Sequence, residues 1–240
     1  MPTLPTTIDA MRSWLLDRMD FDEDAPDADV PISRTHRGQL STARSALSPQ
    51  LAYGRHRGPV RVHTRRAAVA VGLYRDAQRG WLIPLTRRPT TLRHHGGQIC
   101  FPGGQIETGE SPRAAAIREF TEELGIQPDV IADVGSLPRH YVFASDNLID
   151  PVVLLIRQPS RPWQPDPVEV DQVIELPLAA IFDDVVIQTI RQRRTFIAPQ
   201  SPHATAGELT FDAPAYRVDG RVIWGATAMI LSHLVQRLRP

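Results

Sequence analysis

The sequence predicts a mixed α/β (α+β) domain, because short apolar runs of strand length occur together with amphipathic helices. Residues 67–74 and 151–156 are short, apolar and rich in β-branched side chains, which is typical of buried strands. Residues 111–125 and 226–238 instead carry apolar side chains at helical spacing. A chain of 240 residues is long enough to bury a substantial core around these elements.

The chain divides near residue 60. Residues 8–19 are predicted to form a short amphipathic helix, and the acidic stretch 20–29 is predicted to be a turn or linker. Residues 30–60 show little periodicity and are predicted to be extended. We therefore expect an N-terminal helix and extended linker over residues 1–60, whose role the sequence leaves open, and a main domain over residues 61–240.

The composition of the chain indicates its cellular compartment and excludes some kinds of catalysis. No apolar run is long enough for a signal peptide or a membrane span, so we expect no membrane partner. Cys100 is the single cysteine and is expected to be a packed residue in a reducing cytoplasm. All 27 basic residues are arginine, which excludes a Schiff-base lysine and a P-loop lysine.

Charge is distributed unevenly although the net charge is zero. Residues 1–30 carry eight acids against two arginines, whereas residues 31–95 carry 13 arginines against one acid, Asp76. The basic block directly precedes an acidic helix. It is expected either to attract an anionic ligand or to form a solvated arginine-rich surface.

Chemistry at its ends predicts the boundaries of the helix over residues 111–125. Ser111 is a favourable N-cap, and Pro112 suits the first helical position, where no N–H is needed. Gly125 supplies the left-handed conformation that ends many helices. At 100° per residue, apolar residues occupy one side and three glutamates are expected nearly opposite: Ile117, Phe120 and Leu124 against Glu119, Glu122 and Glu123.

The acidic side of this helix indicates a metal site, although many charged helices are simply solvated. Glu119 and Glu123 stand at i and i+4, where like charges repel each other by about 0.2–0.5 kcal/mol. A cluster of carboxylate oxygens on one face is what a hard divalent cation requires. Arg118 is expected to contact Glu122 within the helix and to reach Glu110 before it, which would fix the carboxylate geometry.

The region from Gly104 to Ile126 resembles the signature of the Nudix family, G-x5-E-x7-R-E-U-x-E-E-x-G-U, in which U is a bulky apolar residue. Gly104 and Glu110 begin the match, and residues 118–126 complete it without a gap. The resemblance implies a Nudix fold, in which a mixed β-sheet is sandwiched between helices and a loop–helix–loop is the catalytic element. It also implies hydrolysis of a nucleoside diphosphate linked to another group, with Mg²⁺ or Mn²⁺ as the cofactor.

The resemblance also implies roles for individual residues. Glu119 and Glu123 would bind the metal with the backbone carbonyl of Gly103, and Glu122 would bind a second ion or orient the attacking water. The resemblance makes Arg118 part of the catalytic set, with Glu110 and Gly104 as its structural support. The general base is expected outside the signature in some relatives, and Glu169 is a candidate.

A second motif points to a subgroup. Residues 85–104 are similar to L-L-T-x-R-S-x3-R-x3-G-x3-F-P-G-G of coenzyme A pyrophosphatases, and residues 223–228 resemble the same subgroup. Pro84 and Pro89 depart from the motif, standing where it has leucine and serine. The resemblance implies that Arg88, Arg93 and Gly97 bind substrate and that coenzyme A gives 3′,5′-ADP and 4′-phosphopantetheine.

Two alternatives remain open at this point. The substrate is expected to be coenzyme A or a derivative, but ADP-ribose, a dinucleoside polyphosphate or another nucleoside diphosphate derivative would use the same chemistry. The second alternative is an RNA-binding Nudix scaffold without turnover, against which the complete set of carboxylates argues. The sequence leaves monomer and homodimer equally open.

Overall fold

The structure is a computed structural model that describes residues 3–19, 64–91, 96–142, 145–183, 187–197 and 206–239. Its helices and strands follow one another in this order: α1 (Ile8–Leu16), β1 (Arg65–Asp76), β2 (Gly80–Arg87), β3 (Ile99–Cys100), β4 (Gly103–Gln105), α2 (Pro112–Leu124), β5 (Val130–Ser136), β6 (His140–Val142), β7 (Asn147–Ile156), β8 (Gln172–Pro177), a 3₁₀ helix (Leu178–Phe182), β9 (Ile187–Ile197), β10 (Ala206–Val218), β11 (Arg221–Trp224) and α3 (Ala226–Leu238).

The main sheet is mixed, as the predicted fold class requires. Its central path runs β3–β2–β1–β7–β5, while β4 pairs with β1, β6 with β7, and β8 with β2. The strands β1 and β7 are parallel over nine residue pairs, and the other pairings in this sheet are antiparallel. A separate antiparallel sheet joins β9, β10 and β11. The predicted combination of a mixed sheet and helices is confirmed.

The two faces of β1 belong to two different parts of the core, because successive side chains on a strand point to opposite faces. Ala68, Ala70 and Tyr74 pack with Phe120 of α2. Val71 and other side chains of the opposite face pack with apolar residues of α1 and α3. The sheet therefore lies between α2 on one face and α1 with α3 on the other.

The N-terminal helix is part of this core. Met11 and Leu15 are fully buried within the same cluster as Trp81, and the indole Nε1 of Trp81 donates to the carbonyl of Pro5 at 2.6 Å. The helix begins at Ile8 as predicted and ends at Leu16, three residues before the predicted end. The linker predicted over residues 20–60 lies outside the described residues.

Most predicted strands occur with shifted ends, and one region was missed. The sequence of residues 168–177 predicts a strand, but this strand begins only at Gln172, because residues 167–169 form a turn. The sequence pattern predicts neither β9 nor the first half of β10, although β9 and β10 pair over eleven residue pairs. Asp219-Gly220 is a favoured two-residue turn and predicts a hairpin. This hairpin is confirmed, with both residues at positive φ.

A proline is tolerated at position 84 of β2 because β2 is no longer paired with β1 at this point. A proline has no N–H to donate, which usually excludes it from the middle of a sheet. The β1–β2 pairing covers three residue pairs and stops at Leu82, and nearer its start β1 pairs with β4 instead. The departure from the motif at Pro84 therefore costs no hydrogen bond to β1.

Among the described residues, no helix combines the length and the apolar character that crossing a bilayer would need.

Candidate functional site

The helix that carries the glutamates has the boundaries that its sequence predicts. The hydroxyl of Ser111 accepts a hydrogen bond from the N–H of Ala114 at 3.1 Å, and Pro112 opens the helix. Gly125 ends it at a φ of 68°, and its N–H donates to the carbonyl of Thr121. A side chain at Gly125 would also overlap the backbone of Gln164, 1.9 Å from the position of a Cβ. The helix is therefore fixed at both ends.

The short strand β4 brings its backbone against the acidic side of α2. Gly104 pairs with Ala68, and a Cβ built on Gly104 would lie 2.3 Å from Oε1 of Glu119. No side chain fits there unless the carboxylate moves. Glycine at this position therefore permits a direct approach of the β4 backbone to Glu119.

Glu123 is buried, contrary to the prediction that all three glutamates lie opposite the apolar side. Only 3% of Glu123 is exposed, and Phe120 and Leu124 of the same helix are fully buried. The reason is geometric: Phe120 and Glu123 are three residues apart, so at 100° per residue they are separated by only about 60° around the helix. Glu123 therefore faces the edge of the core.

Two strands hold the carboxylate of Glu123. Its Oε2 accepts from the hydroxyl of Thr86 at 3.0 Å, and its Oε1 accepts from the N–H of Gly103 at 3.4 Å. Burial raises the pKa of Glu123 to about 7, although the two hydrogen bonds and the charge of Arg88 favour the ionised form. The carboxylate therefore changes charge near neutral pH in the absence of a bound cation.

The other two glutamates differ from Glu123 in exposure. The side chain of Glu119 is 14% exposed, whereas that of Glu122 is 59% exposed. Burial also raises the pKa of Glu119, although the Arg118 contact opposes this shift. The charge of Glu169 on the turn before β8 contributes to raising the same pKa, so this carboxylate lies within electrostatic range of Glu119.

Arg118 connects the acidic residues to one another. Its guanidinium donates to Oε1 of Glu119 at 2.8 Å and to Oε2 of Glu122 at 3.1 Å. It also binds both carboxylate oxygens of Glu110 and the carbonyl of Gln105. This arrangement lowers the pKa of Glu110, first through the Arg118 hydrogen bonds. The two contacts predicted for Arg118, with Glu122 and with Glu110, are present.

The predicted substrate-binding residues are described in part. The N–H of Gly97 donates to the carbonyl of Arg88 at 3.0 Å, and Gly97 has a φ of 72°. The Nε of Arg88 is buried and has no hydrogen-bond partner among the residues that the structure describes. Arg93 falls within residues 92–95, which lie outside the described residues. Of the two predicted arginines the structure describes Arg88, whose charge acts on Glu123 of the acidic helix.

The side chains of this region are suitable ligands for a divalent cation, but they do not form a complete coordination site. Among the residues that the structure describes, no three acidic, histidine or cysteine side chains converge closely enough to hold a metal ion. Glu119 and Glu123 nevertheless offer the oxygen donors that Mg²⁺ and Mn²⁺ prefer, beside a backbone that only glycine allows so close. Glu122 is exposed, but its carboxylate is bound to Arg118 at 3.1 Å. It would have to leave this contact in order to join Glu119 and Glu123.

Sequence reasoning missed Thr86 as a member of the site. Its side chain is fully buried, which is unusual for a hydroxyl and reflects its bond to Glu123. The signal was available, because Thr86 stands in the L-T-x-R part of the upstream motif. Cys100 lies beside it, with Sγ 3.3 Å from the Thr86 hydroxyl, and burial raises the pKa of this thiol to about 11. The thiol therefore stays protonated at neutral pH, as expected of a packed cysteine.

A shallow cavity of about 590 Å³ lies elsewhere on α2. Arg113, Ile117 and Thr121 line it together with Arg118 and Glu122, whereas Glu119 and Glu123 do not. The cavity therefore lies on the outer side of the helix and is distinct from the buried carboxylates.

Comparison with known proteins gives the family. The sequence profile of the NUDIX domain matches residues 63–197, more than half of the chain. The chain therefore belongs to the Nudix family. It is 40% identical over 119 residues to NudL of Salmonella paratyphi B, named an uncharacterised Nudix hydrolase, and the match covers 49% of this chain and 60% of that relative.

Two solved structures match about half of this chain at lower identity. A MutT protein from Methanosarcina mazei is 19% identical with a TM-score of 0.39, and the match covers 49% of this chain and 80% of that one. An Ap4A hydrolase from C. elegans, solved as a binary complex, is 22% identical with a TM-score of 0.38, covering 47% and 80% of the two chains.

Proposed function

We propose that the chain is a metal-dependent hydrolase of nucleoside diphosphate derivatives, and that coenzyme A or an acylated form of it is the substrate. The products would be 3′,5′-ADP and 4′-phosphopantetheine, or its acyl form. The observation that carries this proposal is Arg88, whose Nε is buried without a hydrogen-bond partner among the described residues and whose charge lowers the pKa of Glu123. Two carboxylates can bind a divalent cation that contacts the phosphate, and the guanidinium can bind the same phosphate directly.

The residues of α2 and β4 would hold the cation. Glu119 and Glu123 supply carboxylate oxygens, the backbone carbonyl of Gly103 supplies a third oxygen, and Glu122 either joins them or orients the attacking water. When bound, Mg²⁺ or Mn²⁺ supplies positive charge that neutralises the diphosphate and lowers the pKa of water. Arg118 would keep the acidic side chains aligned through its contacts with Glu110 and Glu119.

Arg88 would bind the phosphate of the substrate that lies nearest to Glu123. A guanidinium presents several N–H donors in one plane and binds phosphate at two points, with about 1.5–3 kcal/mol for each hydrogen bond to a charged group. Its Nε is already buried, so little side-chain freedom would be lost on binding. Arg93 and Gly97 belong to the same proposal, since they complete the upstream motif.

The test is a comparison of three substrates with Mg²⁺. Coenzyme A, dephospho-coenzyme A and ADP-ribose share a diphosphate but differ in the 3′-phosphate and in the second group. Under this proposal coenzyme A has the highest kcat/KM, and 3′,5′-ADP is identified by chromatography. Equal or faster turnover of ADP-ribose would leave the metal chemistry in place and remove coenzyme A as the substrate.

Pro89 supports a second candidate function, the hydrolysis of a substrate other than coenzyme A. It replaces the serine of the coenzyme A motif next to Arg88, and proline removes both a hydroxyl and an N–H from the turn that carries Arg88. A pocket changed in this way favours ADP-ribose or a dinucleoside polyphosphate over a substrate with a 3′-phosphate. The variant Pro89→Ser should raise the kcat/KM ratio of coenzyme A to dephospho-coenzyme A if Pro89 limits that pocket.

The remaining parts of the proposal concern partners and compartment. The proposed partner is a small nucleotide substrate rather than nucleic acid, and the compartment is the cytoplasm, which suits a chain with one protonated, buried thiol. Salt-sensitive RNA binding without turnover of any diphosphate would replace the enzyme with the RNA-binding alternative.

A further inference from the structure

Thr86 reaches the carboxylate of Glu123 from a different element of the fold. It lies on β2, next to Leu85, and its hydroxyl donates to Oε2 of Glu123 on α2 at 3.0 Å across a separation of 37 residues. Both side chains are buried, with 0% of Thr86 and 3% of Glu123 exposed. Water therefore cannot readily replace this donor.

The hydroxyl of Thr86 has one proton and two nearby oxygen acceptors. The carboxylate of Glu123 is 3.0 Å away, and the backbone carbonyl of Cys100 is 3.5 Å away. Hydrogen bonds to an ionised acceptor are shorter and stronger than those to a neutral one. The proton is therefore directed at Glu123 whenever that carboxylate is ionised.

The strand also restricts where the hydroxyl can point. Threonine is branched at Cβ, which limits its χ1 rotation, and Thr86 pairs through its backbone with Cys100 of β3 and Val173 of β8. The donor is thus fixed by the sheet and not by the helix that carries Glu123. Because Gly103 of β4 contacts the other oxygen, both carboxylate oxygens are oriented by strands.

We infer that Thr86 is a positioning residue that holds Glu123 in the orientation from which this carboxylate binds a divalent cation. Each Oε of Glu123 keeps a further lone pair after its hydrogen bond, so the contacts leave it able to coordinate. The inference rests on the proposed function, in which Glu123 is a metal ligand. A purely structural role, in which the bond only ties β2 to α2, is the alternative.

Metal binding by the protein without substrate separates these roles. Thr86→Val removes the hydroxyl at nearly constant shape, and Thr86→Ser keeps it. Free Mn²⁺ is followed by electron paramagnetic resonance, which gives a Kd without turnover. We expect Thr86→Val to weaken Mn²⁺ binding about 10- to 100-fold, the range typical of residues that orient a metal ligand, and Thr86→Ser to restore it.

Thr227 provides a matched control. Its hydroxyl is also buried and also ties two elements together, since it donates to the carbonyl of Ile99 at 3.1 Å, but it contacts no carboxylate in the described structure. Thr227→Val should lower the melting temperature and leave the Kd for Mn²⁺ unchanged. Melting temperatures of all variants show that each is folded at the temperature of the measurement.

The outcomes separate this inference from the proposed function. If Glu123→Gln loses Mn²⁺ binding while Thr86→Val binds with the wild-type Kd, the positioning role is wrong and the metal site stands. If Glu123→Gln binds Mn²⁺ as tightly as the wild type, or the wild type binds none, the proposed function fails and the inference fails with it. Loss in Thr86→Val with recovery in Thr86→Ser supports both.

Discussion

Arg118 and Glu110 form a two-point contact across the start of α2. The Nε of Arg118 donates to Oε1 of Glu110 at 3.0 Å, and Nη2 donates to Oε2 at 3.1 Å. Because Glu110 occupies one side of the guanidinium, Nη1 is left to contact Glu119 and Glu122. The loop before the helix therefore determines how the guanidinium meets the acidic residues.

Replacing Arg118 should uncouple these carboxylates. In Arg118→Ala, Glu110 and Glu119 lose a shared cation, and we expect diphosphate turnover to fall about 10- to 100-fold. Arg118→Lys should recover little of this loss, because an ammonium group cannot reproduce the planar two-point contact. Steady-state kinetics with Mg²⁺ measures both. Arg157→Ala is the control, since that side chain forms an exposed pair with Asp129. Full activity in Arg118→Ala would contradict the positioning argument.

Glu123→Gln should abolish most activity and also change the pH dependence of stability. We expect kcat to fall by at least about 100-fold, the scale seen when catalytic electrostatic groups are removed. Burial raises the pKa of Glu123 from 4.5 to about 7, so the unfolded chain releases this proton at lower pH than the folded one. The free energy of unfolding of the metal-free protein should therefore fall by about 3 kcal/mol as pH rises from about 4.5 to above 7.

Urea unfolding of the metal-free wild type and of Glu123→Gln tests this sign. The variant cannot ionise at this position, so its stability relative to the wild type should increase between pH 5 and pH 8. A constant difference between the two proteins over this range would show that Glu123 is not buried in an apolar environment.

A methyl group at Gly104 should displace Glu119. The Cβ of Gly104→Ala would lie 2.3 Å from the carboxylate oxygen, so the side chain of Glu119 must move by roughly an ångström to restore contact distance. Misplacements of this size cost about 100-fold in activity. Gly109→Ala is the control, because among the described residues no atom outside its chain neighbours lies within 4 Å of the new Cβ, and only its positive φ is strained. Wild-type kinetics in Gly104→Ala would argue against a role for Glu119.

Glu169 can be tested as a general base through the pH dependence of the rate. It is exposed, and its charge acts on Glu119, which places it close to the acidic side of α2. Glu169→Gln should lower kcat and remove the acidic limb of the pH–rate profile, while Mn²⁺ affinity stays the same. A fall in Mn²⁺ affinity would make Glu169 a ligand instead of a base, and an unchanged profile would exclude both roles.

The buried histidine pair between β6 and α3 predicts sensitivity to acid. The rings of His140 and His233 stack with centroids 4.7 Å apart, and burial, assisted by the charge of His233, lowers the pKa of His140 to about 3. The unfolded chain binds this proton near pH 6.5, so stability should be lost as pH falls from about 6.5 toward 3, by about 5 kcal/mol in all. His140→Phe, which retains an aromatic ring, should reduce this loss in urea unfolding between pH 7 and pH 5.

The site was predictable from the sequence where local chemistry sets the structure. Ser111 and Gly125 determine the ends of α2 through a hydrogen bond and a positive φ, and both effects depend only on neighbouring residues. The contacts of Arg118 with Glu110 and Glu122 follow in part from helical spacing and in part from the family signature. The family resemblance implied that Arg88 binds substrate, and this stays a prediction.

Other features depend on packing that residue spacing does not reveal. The hydrogen bonds that hold the carboxylate of Glu123 come from Thr86 of β2 and Gly103 of β4, which are distant from it in sequence. Thr86 stands in the upstream motif, but its spacing does not show that its hydroxyl reaches Glu123. The pairing of β9 with β10 was missed because their sequences carry charged residues and lack a clear apolar alternation. Contacts between distant segments are thus what the sequence alone leaves undetermined.

The hydrogen bond from Trp81 to Pro5 has a practical consequence for anyone who trims this protein. The family profile begins at residue 63, yet Met11 and Leu15 complete the apolar layer beneath the sheet. An expression clone that starts at the profile boundary would leave Trp81 and its neighbours in contact with solvent, and we expect it to yield aggregated material. Keeping the first nineteen residues, on the same polypeptide or as an added peptide, should recover a dispersed product.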